Sequence, residues 1–298
     1  MQILITGGTG LIGRALCRVL RSDGHQLTVL SRQPASVAAK CGVDVAAMAS
    51  LEEWTPQRHF DAVINLAGEP IVDHAWTPRR KQALRDSRIA LTEKLVACIA
   101  QAERKPEVLI SGSAVGYYGN GGSRELDEES PSGSDFAAGL CRDWEVAALG
   151  AASYGVRICL LRTGLVLSGE GGLLGRMLLP FRLGLGARLG DGQQWMSWIH
   201  IDDYVAQVRW MLRDVGMFGV FNMTAPHPVT NAEFTRTLAQ ALHRPAIFFA
   251  PAFLLRFALG ERSNLLLEGQ RVLPRQLQAR HARFLHPDLA SALRAILA

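Results

Sequence analysis

A chain of 298 residues, 48% hydrophobic and free of low-complexity tracts, is long enough for an extended α/β domain plus a smaller lobe, which excludes a disordered protein. Five scattered cysteines (Cys17, Cys41, Cys98, Cys141, Cys159) with no CxxC spacing exclude a zinc or disulfide framework and lead us to expect a reducing, cytoplasmic setting. The net charge of +5 rests on 32 basic residues, all but four of them arginines, dispersed without aromatic interleaving or a lysine run, so nucleic acid is not the expected partner.

The first element, QILIT, is already a strand rather than an export signal, and no run reaches the roughly 18 apolar residues of a membrane span. No membrane partner is expected, and the oligomeric state, monomer or homodimer, stays open. Strand and helix then alternate: a helix from about Leu11 to Asp23, QLTVL, a short VDVAA, DAVINLA, a long helix from about Lys81 to Ala102, EVLISGS, a helix near Phe136 to Ala152, and VRICLLR. Near-continuous apolar strands separated by helices mean a parallel sheet covered on both faces, a Rossmann-like doubly wound α/β fold. Residues 1–165 are expected to form this domain, with a returning segment near 197–223, and 166–298 a smaller C-terminal substrate lobe ending in a small helical segment. In that lobe the strand-like WMSWIHI, helices from about Asp202 to Leu212, Asn231 to Leu242 and Pro287 to Leu297, and glycine-rich loops follow one another. The apolar stretch Pro245 to Gly260 reads as a buried helix rather than a membrane-surface one.

Directly after the first strand stands TGGTGLIG, with Gly7, Gly10 and Gly13 opening a helix whose first residues include Leu11 and Ile12. The tight turn needs a residue without Cβ, a pyrophosphate needs close backbone approach, and the helix start supplies unpaired amides and a positive dipole end. The second strand ends in Ser31 and Arg32 where an NAD enzyme places an acidic residue, and an arginine there suits a 2′-phosphate. NADP is therefore the expected cofactor. The fourth strand ends in NLAGE, so the backbone of Leu66, Ala67 and Gly68 is expected to border the cofactor. Glu69 is expected to meet a ribose or substrate hydroxyl or, equally, an arginine of the following loop.

TGGTGLIG, Ser31-Arg32, NLAG, SAVGYYG, LLRTGLVL and WIHIDD together resemble the extended short-chain dehydrogenase/reductase superfamily. GEPI, SRIALT, SAVGYYG and PFRLGLG narrow the resemblance to an atypical, epimerase-like subgroup whose C-terminal segment is a small domain of unknown function. LQARHARF departs from that subgroup's wording. The resemblance spans nearly the whole chain and implies an NADP-binding Rossmann-like domain, a substrate lobe, and nucleotide-sugar epimerase or dehydratase ancestry. It also implies a tyrosine and a lysine spaced YxxxK, where the lysine lowers the phenol pKa and the tyrosine moves a proton. Here Phe136 and Leu140, or in the other register Ala137 and Cys141, stand at those positions, and no YxxxK occurs anywhere.

The nearest replacements are Ser113, Tyr117 and Tyr118 of SGSAVGYYG, expected as catalytic residues. Arg88 stands where the resemblance implies an asparagine, and is expected to hold a cofactor phosphate or ribose or a carboxylate substrate. Trp198 and His200 are expected to line the substrate cleft. The stretch containing Arg176, Arg182 and Arg188 reads as a cover with anion-binding capacity, and Arg182 is expected to touch substrate. In WIHIDDYV the aspartates read as helix caps, and no metal is expected. Two functions remain: an NADP(H)-dependent oxidoreductase or epimerase-like enzyme acting on a small polar substrate, and a non-catalytic NADP(H)-binding sensor or scaffold.

Overall fold

The computed structural model describes residues 1–298. In chain order come β1 (Gln2–Thr6), α1 (Leu11–Ser22), β2 (Gln26–Leu30), a short α2 (Val37–Cys41), β3 (Ala46–Met48) and β4 (Ala62–Asn65). A long helical stretch follows, α3 (Pro78–Arg85) and α4 (Leu91–Gln101), joined by a π-helical turn at Asp86–Ala90. Then come β5 (Val108–Ala114), the two-residue β6 (Glu125–Leu126), α5 (Phe136–Leu149) and β7 (Arg157–Thr163).

The rest of the chain contributes β8 (Leu165–Leu167), α6 (Gly172–Arg182), β9 (Ala187–Leu189), β10 (Trp195–Met196), β11 (Trp198–His200), α7 (Ile201–Arg213), β12 (Gly219–Met223) and β13 (Val229–Thr230). It ends with α8 (Asn231–Ala241), β14 (Phe248–Ala250), α9 (Ala252–Leu259), α10 (Asn264–Leu267), β15 (Arg271–Val272), α11 (Arg275–Ala279) and α12 (Leu289–Leu297).

Seven strands form one parallel sheet in the order β12-β7-β5-β4-β1-β2-β3. Alternation within each strand builds two cores. Ile3 and Ile5 with Val29, Ile64 and Ile110 meet α1 and α7 on one face, while Leu4, Val63 and Leu109 meet α4 and α5 on the other. Helix α1 forms because Gly13, Leu16, Cys17 and Leu20 fall at i, i+3, i+4 and i+7, one stripe that the sheet buries. The strand order reverses between β1 and β4, and a doubly wound sheet opens its ligand crevice at that point, at the carboxyl ends of the strands.

A third core forms where Leu174, Leu178 and Phe181 of α6 meet Trp198, Phe234 and Leu238, with Leu289 and Leu293 of α12. The strand-like WMSWIHI is two short strands in separate two-stranded sheets, β10 with β13 and β11 with β8. The segment Pro245 to Gly260 corrects its expectation: α9 contains no buried residue, and Phe257 is 92% exposed. No helix is long and apolar enough to cross a membrane.

Candidate functional site

The β1–α1 turn is shaped by backbone proximity. Gly7 has φ 71°, and a Cβ on it would come within 2.7 Å of the Leu66 carbonyl. A Cβ on Gly13 would run into the Gly7 carbonyl oxygen. Gly10 caps α1 in extended conformation, with its amide on the Gly7 carbonyl at 3.0 Å and no side chain over the helix end. The amides of Leu11, Ile12 and Gly13 therefore lack intrahelical acceptors and, with no acidic residue in the first turn, present a positive dipole end. The sequence reading brought these residues together, and the structure places them between two adjoining cavities. One, of about 1330 Å³, extends from Gly7 and Gly10 past Ser31, Arg32 and Gly68 to Lys94 and Gln101. The other, of about 320 Å³, runs from Leu11 and Gly13 to Val166 and Leu173, and both share Gly7, Gly10 and Leu66.

Ser31 and Arg32 leave β2 at the rim of the larger cavity. Ser31 Oγ accepts the Gln33 amide at 3.1 Å and shapes the turn. The Arg32 side chain is 89% exposed and donates to Glu69 Oε1 at 2.6 Å, while Arg80 reaches Glu69 Oε2 at 3.3 Å. Glu69 thus spends its carboxylate on arginines. The hydrogen bond from Arg32, then that from Arg80, holds its carboxyl below the ordinary range against the opposing effect of partial burial.

Beneath the Leu66–Gly68 turn a buried network missed in the sequence ties three strand ends together. Thr6 Oγ1 donates to Asn65 Oδ1 at 2.7 Å, and Asn65 Nδ2 donates to Thr92 and Ser111 at 2.8 and 3.2 Å. Thr6 Oγ1 also accepts the Ala67 amide at 3.1 Å, which holds the turn open toward the cavity. A polar residue ending an otherwise apolar buried strand, as in AVIN, was the available signal.

Arg88 corrects its expectation. It sits on the π-helical turn with its guanidinium packed under Gly68, donating to the Glu69 carbonyl at 2.9 Å and the Leu84 carbonyl at 3.3 Å, and it does not line the cavity. Burial is the main cause that pulls its pKa below the ordinary guanidinium value. Its place is that of a brace for the NLAGE turn.

The SAVGYYG loop also differs from expectation. Ser113 Oγ donates to Glu145 Oε1 at 2.6 Å, inside a buried pair in which Arg162 grips both Glu145 oxygens at 2.9 Å. Burial opposes the Arg162 charge, but the Glu145 bonds outweigh it and raise its pKa. Arg162 also donates to Tyr118 Oη at 3.0 Å, and Tyr118 donates its own proton to Asn222 Oδ1 at 2.7 Å. Burial pushes the Tyr118 phenol up to about 12. Ser113 and Tyr118 are thus committed to the interior, which removes them as free proton donors. Tyr117 stacks on Arg162, 3.4 Å from guanidinium carbon to ring centroid, and its hydroxyl has no protein partner. Glu145 and Arg162 were missed; a charge inside the apolar strand RICLLRT was their signal.

Trp198 is fully buried in the core formed with α6, α8 and α12, with Nε1 on the His227 carbonyl at 3.1 Å, so it lines no cleft. His200 is buried too: its Nδ1 accepts the Asp202 amide at 3.1 Å as the α7 N-cap, and its ring lies 4.0 Å from that of His286. The capping role expected of the aspartates thus falls to His200. Asp203 instead accepts the Leu285 and His286 amides at 2.6 and 3.0 Å. Ligand atoms of His200, Asp202 and His286 lie within 4.8 Å of one another. Arg182 is exposed at the end of α6, outside both cavities, and its carbonyl accepts Arg244 Nε at 2.9 Å.

Known proteins resemble this chain in sequence and fold. Residues 3–223 match the NAD dependent epimerase/dehydratase family, and residues 250–296 match a domain of unknown function, DUF1731. The chain is 41% identical over 304 residues to the "Epimerase family protein SDR39U1 homolog, chloroplastic" of Arabidopsis thaliana, covering 100% of this chain and 87% of that one. It is 37% identical over 302 residues to "Epimerase family protein YfhF" of Bacillus subtilis, covering 100% and 98%. Among solved structures, human epimerase family protein SDR39U1 (isoform 2) with NADPH superposes with a TM-score of 0.90 at 36% identity, over 99% of both chains. A UDP-glucose 4-epimerase from Thermotoga maritima with UDP-glucose shares the fold, with a TM-score of 0.81 at 17% identity over 100% and 97%. A glycine turn, a parallel sheet reversing at β1 and β4, and full-length relatives agree: the chain belongs to the NAD dependent epimerase/dehydratase family.

Proposed function

We propose that this protein binds NADP(H) along the two cavities flanking the glycine turn and reduces a small polar substrate with it. The observation that carries the reading is Arg32 at the rim of the larger cavity, which the glycine turn and the uncapped start of α1 also line. The residues fit the group: the amides of Leu11, Ile12 and Gly13 would hold its pyrophosphate, Ser31 and Arg32 its 2′-phosphate, and the backbone of Leu66, Ala67 and Gly68 would border it. NADPH bound to the human relative supports this choice. Bound NADPH supplies hydride. Of the loop residues, Tyr117 alone carries an uncommitted hydroxyl, and a phenol delivers a proton more readily than it removes one at neutral pH, so reduction is favoured over alcohol oxidation.

A second reading, a non-catalytic NADP(H)-binding sensor, draws on a specific observation: Ser113 and Tyr118 are bound up in the Glu145–Arg162–Asn222 network. Incubation of stereospecifically deuterated NADPH with a panel of carbonyl and enal substrates separates the two. Label in product, with the rate cut by Tyr117→Phe, supports reduction. Tight NADPH binding with no label transfer across the panel supports the sensor.

A further inference from the structure

Away from the cofactor groove the second lobe holds a cavity of about 490 Å³ between β9, α8 and β14, which shares no lining residue with the two cavities at the glycine turn. Arg188, Arg236 and Arg244 border it. None of the three joins an ion pair, whereas Arg18, Arg32 and Arg176 elsewhere each hold a carboxylate. Arg244 spends only Nε, on a carbonyl. Two acidic residues lie three positions from one of these arginines: Asp191, near Arg188, accepts the Gln193 amide at 3.0 Å, and Glu233, near Arg236 in the first turn of α8, is exposed and forms no ion pair. Like charges gathered around one hollow without counter-charge repel one another, and an anion at their centre removes that repulsion.

The floor points the same way. Thr235 on α8 is 4% exposed, lines the cavity, and its Oγ1 has no hydrogen-bond partner. A threonine inside a helix ordinarily returns its hydroxyl to the carbonyl one turn earlier, as Thr237 does to Glu233 at 2.8 Å. A buried donor left free beside three guanidinium groups is a group held ready for an acceptor.

Apart from Gln240 the remaining wall is apolar, with Ala239, Ala246, Ile247, Phe248 and Phe249 on it. Apolar surface continues beyond it onto α9, which follows β14 after Pro251 and leaves Phe253, Leu254 and Phe257 exposed. Apolar side chains on both β14 and the following α9 suit a chain rather than a compact ring. Three guanidinium forks and a hydroxyl suit the oxygens of a phosphate better than the two of a carboxylate.

We propose that this cavity binds a single amphipathic phosphate, a phosphate monoester on an acyl-type chain, with Arg188, Arg236, Arg244 and Thr235 at the phosphate and Ile247, Phe248 and Phe249 along the chain. The site is independent of the cofactor groove and of whether the protein turns over.

Calorimetric titration of the full chain with dodecyl phosphate below its micelle concentration, at saturating NADPH, tests it. Dodecyl phosphate should bind at least about tenfold tighter than inorganic phosphate, AMP or the neutral dodecyl maltoside, and NADPH should not displace it. The exposed pair Arg188→Gln/Arg236→Gln should weaken binding at least about tenfold with the melting temperature kept, and Thr235→Val should weaken it severalfold. Equal affinity for dodecyl maltoside or AMP, displacement by NADPH, or an unchanged double arginine variant overturns the proposal. So does arginine-dependent co-sedimentation with phosphatidic acid vesicles without binding of dissolved dodecyl phosphate, which would make the surface a bilayer contact.

Discussion

Arg32 has one partner inside the protein, Glu69, and another in the proposed complex, a 2′-phosphate, and the two compete for the same guanidinium. Arg32→Ala is expected to weaken NADPH at least tenfold, about 1.4 kcal/mol, and to leave NADH nearly unchanged. Glu69→Gln is expected to tighten NADPH severalfold, since Arg32 and Arg80 are both released, and calorimetry reads both variants. The same carboxylate gives a pH test. Its folded pKa lies below the ordinary 4.5, so the stability from its ion pairs is complete above about that pH and disappears as pH falls through the lower folded value. Denaturant midpoints at pH 7 and in strong acid should differ more for the wild type than for Glu69→Gln. Arg88 belongs to a different category. Its bonds to the Glu69 and Leu84 carbonyls are made in the unliganded fold, so Arg88→Ala should lower apo stability by about 1.5–3 kcal/mol and loosen NADPH as a consequence. A melting temperature that stays put while affinity falls would return Arg88 to the cofactor.

At the scale of elements, the Glu145–Arg162 pair decides how α5, β7 and the Val115–Tyr118 turn meet. Neither charge reaches solvent, and Ser113, Tyr118 and the Glu128 carbonyl complete the pair's hydrogen bonding. Arg162→Met strands a buried carboxylate and should cost about 3–5 kcal/mol in urea denaturation. Glu145→Leu/Arg162→Met removes both charges and should cost clearly less, because the penalty lies in the unpaired partner rather than in the lost attraction. The strand carrying Arg162 and the helix carrying Glu145 were both legible from their apolar patterns. Their pairing was not, since seventeen residues of chain separate them and only packing α5 on the sheet brings them together.

Across the whole molecule, α6 and the segment after α9 are tied to the sheet by ion pairs around the loop after β4 and α3. Arg176 meets Asp73 at 2.8 Å, and Lys81 meets Glu261 at 2.7 Å, while Arg262 donates to the Val72 carbonyl at 2.9 Å. The C-terminal segment crosses back as well: β15 pairs with β6, and Leu277 of α11 enters the main core. Helix α9 stands apart from this bracing. Because Phe257 is almost fully exposed, Phe257→Ser should change stability by no more than about 0.5 kcal/mol while improving solubility. A loss of several degrees in melting temperature would show that α9 is buried in solution by another surface.

Local rules determined the parts of this protein that the sequence could disclose. The alternation of apolar strands and helices requires a covered parallel sheet, and Gly7 and Gly13 are demanded by backbone atoms a few residues away or on the neighbouring strand. The place of Arg32 at the cavity rim was legible for the same reason, since it follows a strand whose carboxyl edge is known once the sheet is known. Arg88, Trp198, His200, Ser113 and Tyr118 were read as site residues from their positions along the chain. Each was reassigned by what the fold packs against it: Gly68 over Arg88, the His227 carbonyl on Trp198, the Asp202 amide on His200, Glu145 on Ser113 and Asn222 on Tyr118. The exposure of α9 was likewise misread as burial, because an apolar helix reads the same whether it is covered or left open. A side chain's type is written in the sequence, but whether its polar atoms remain free depends on partners from distant segments, and only the tertiary structure supplies those.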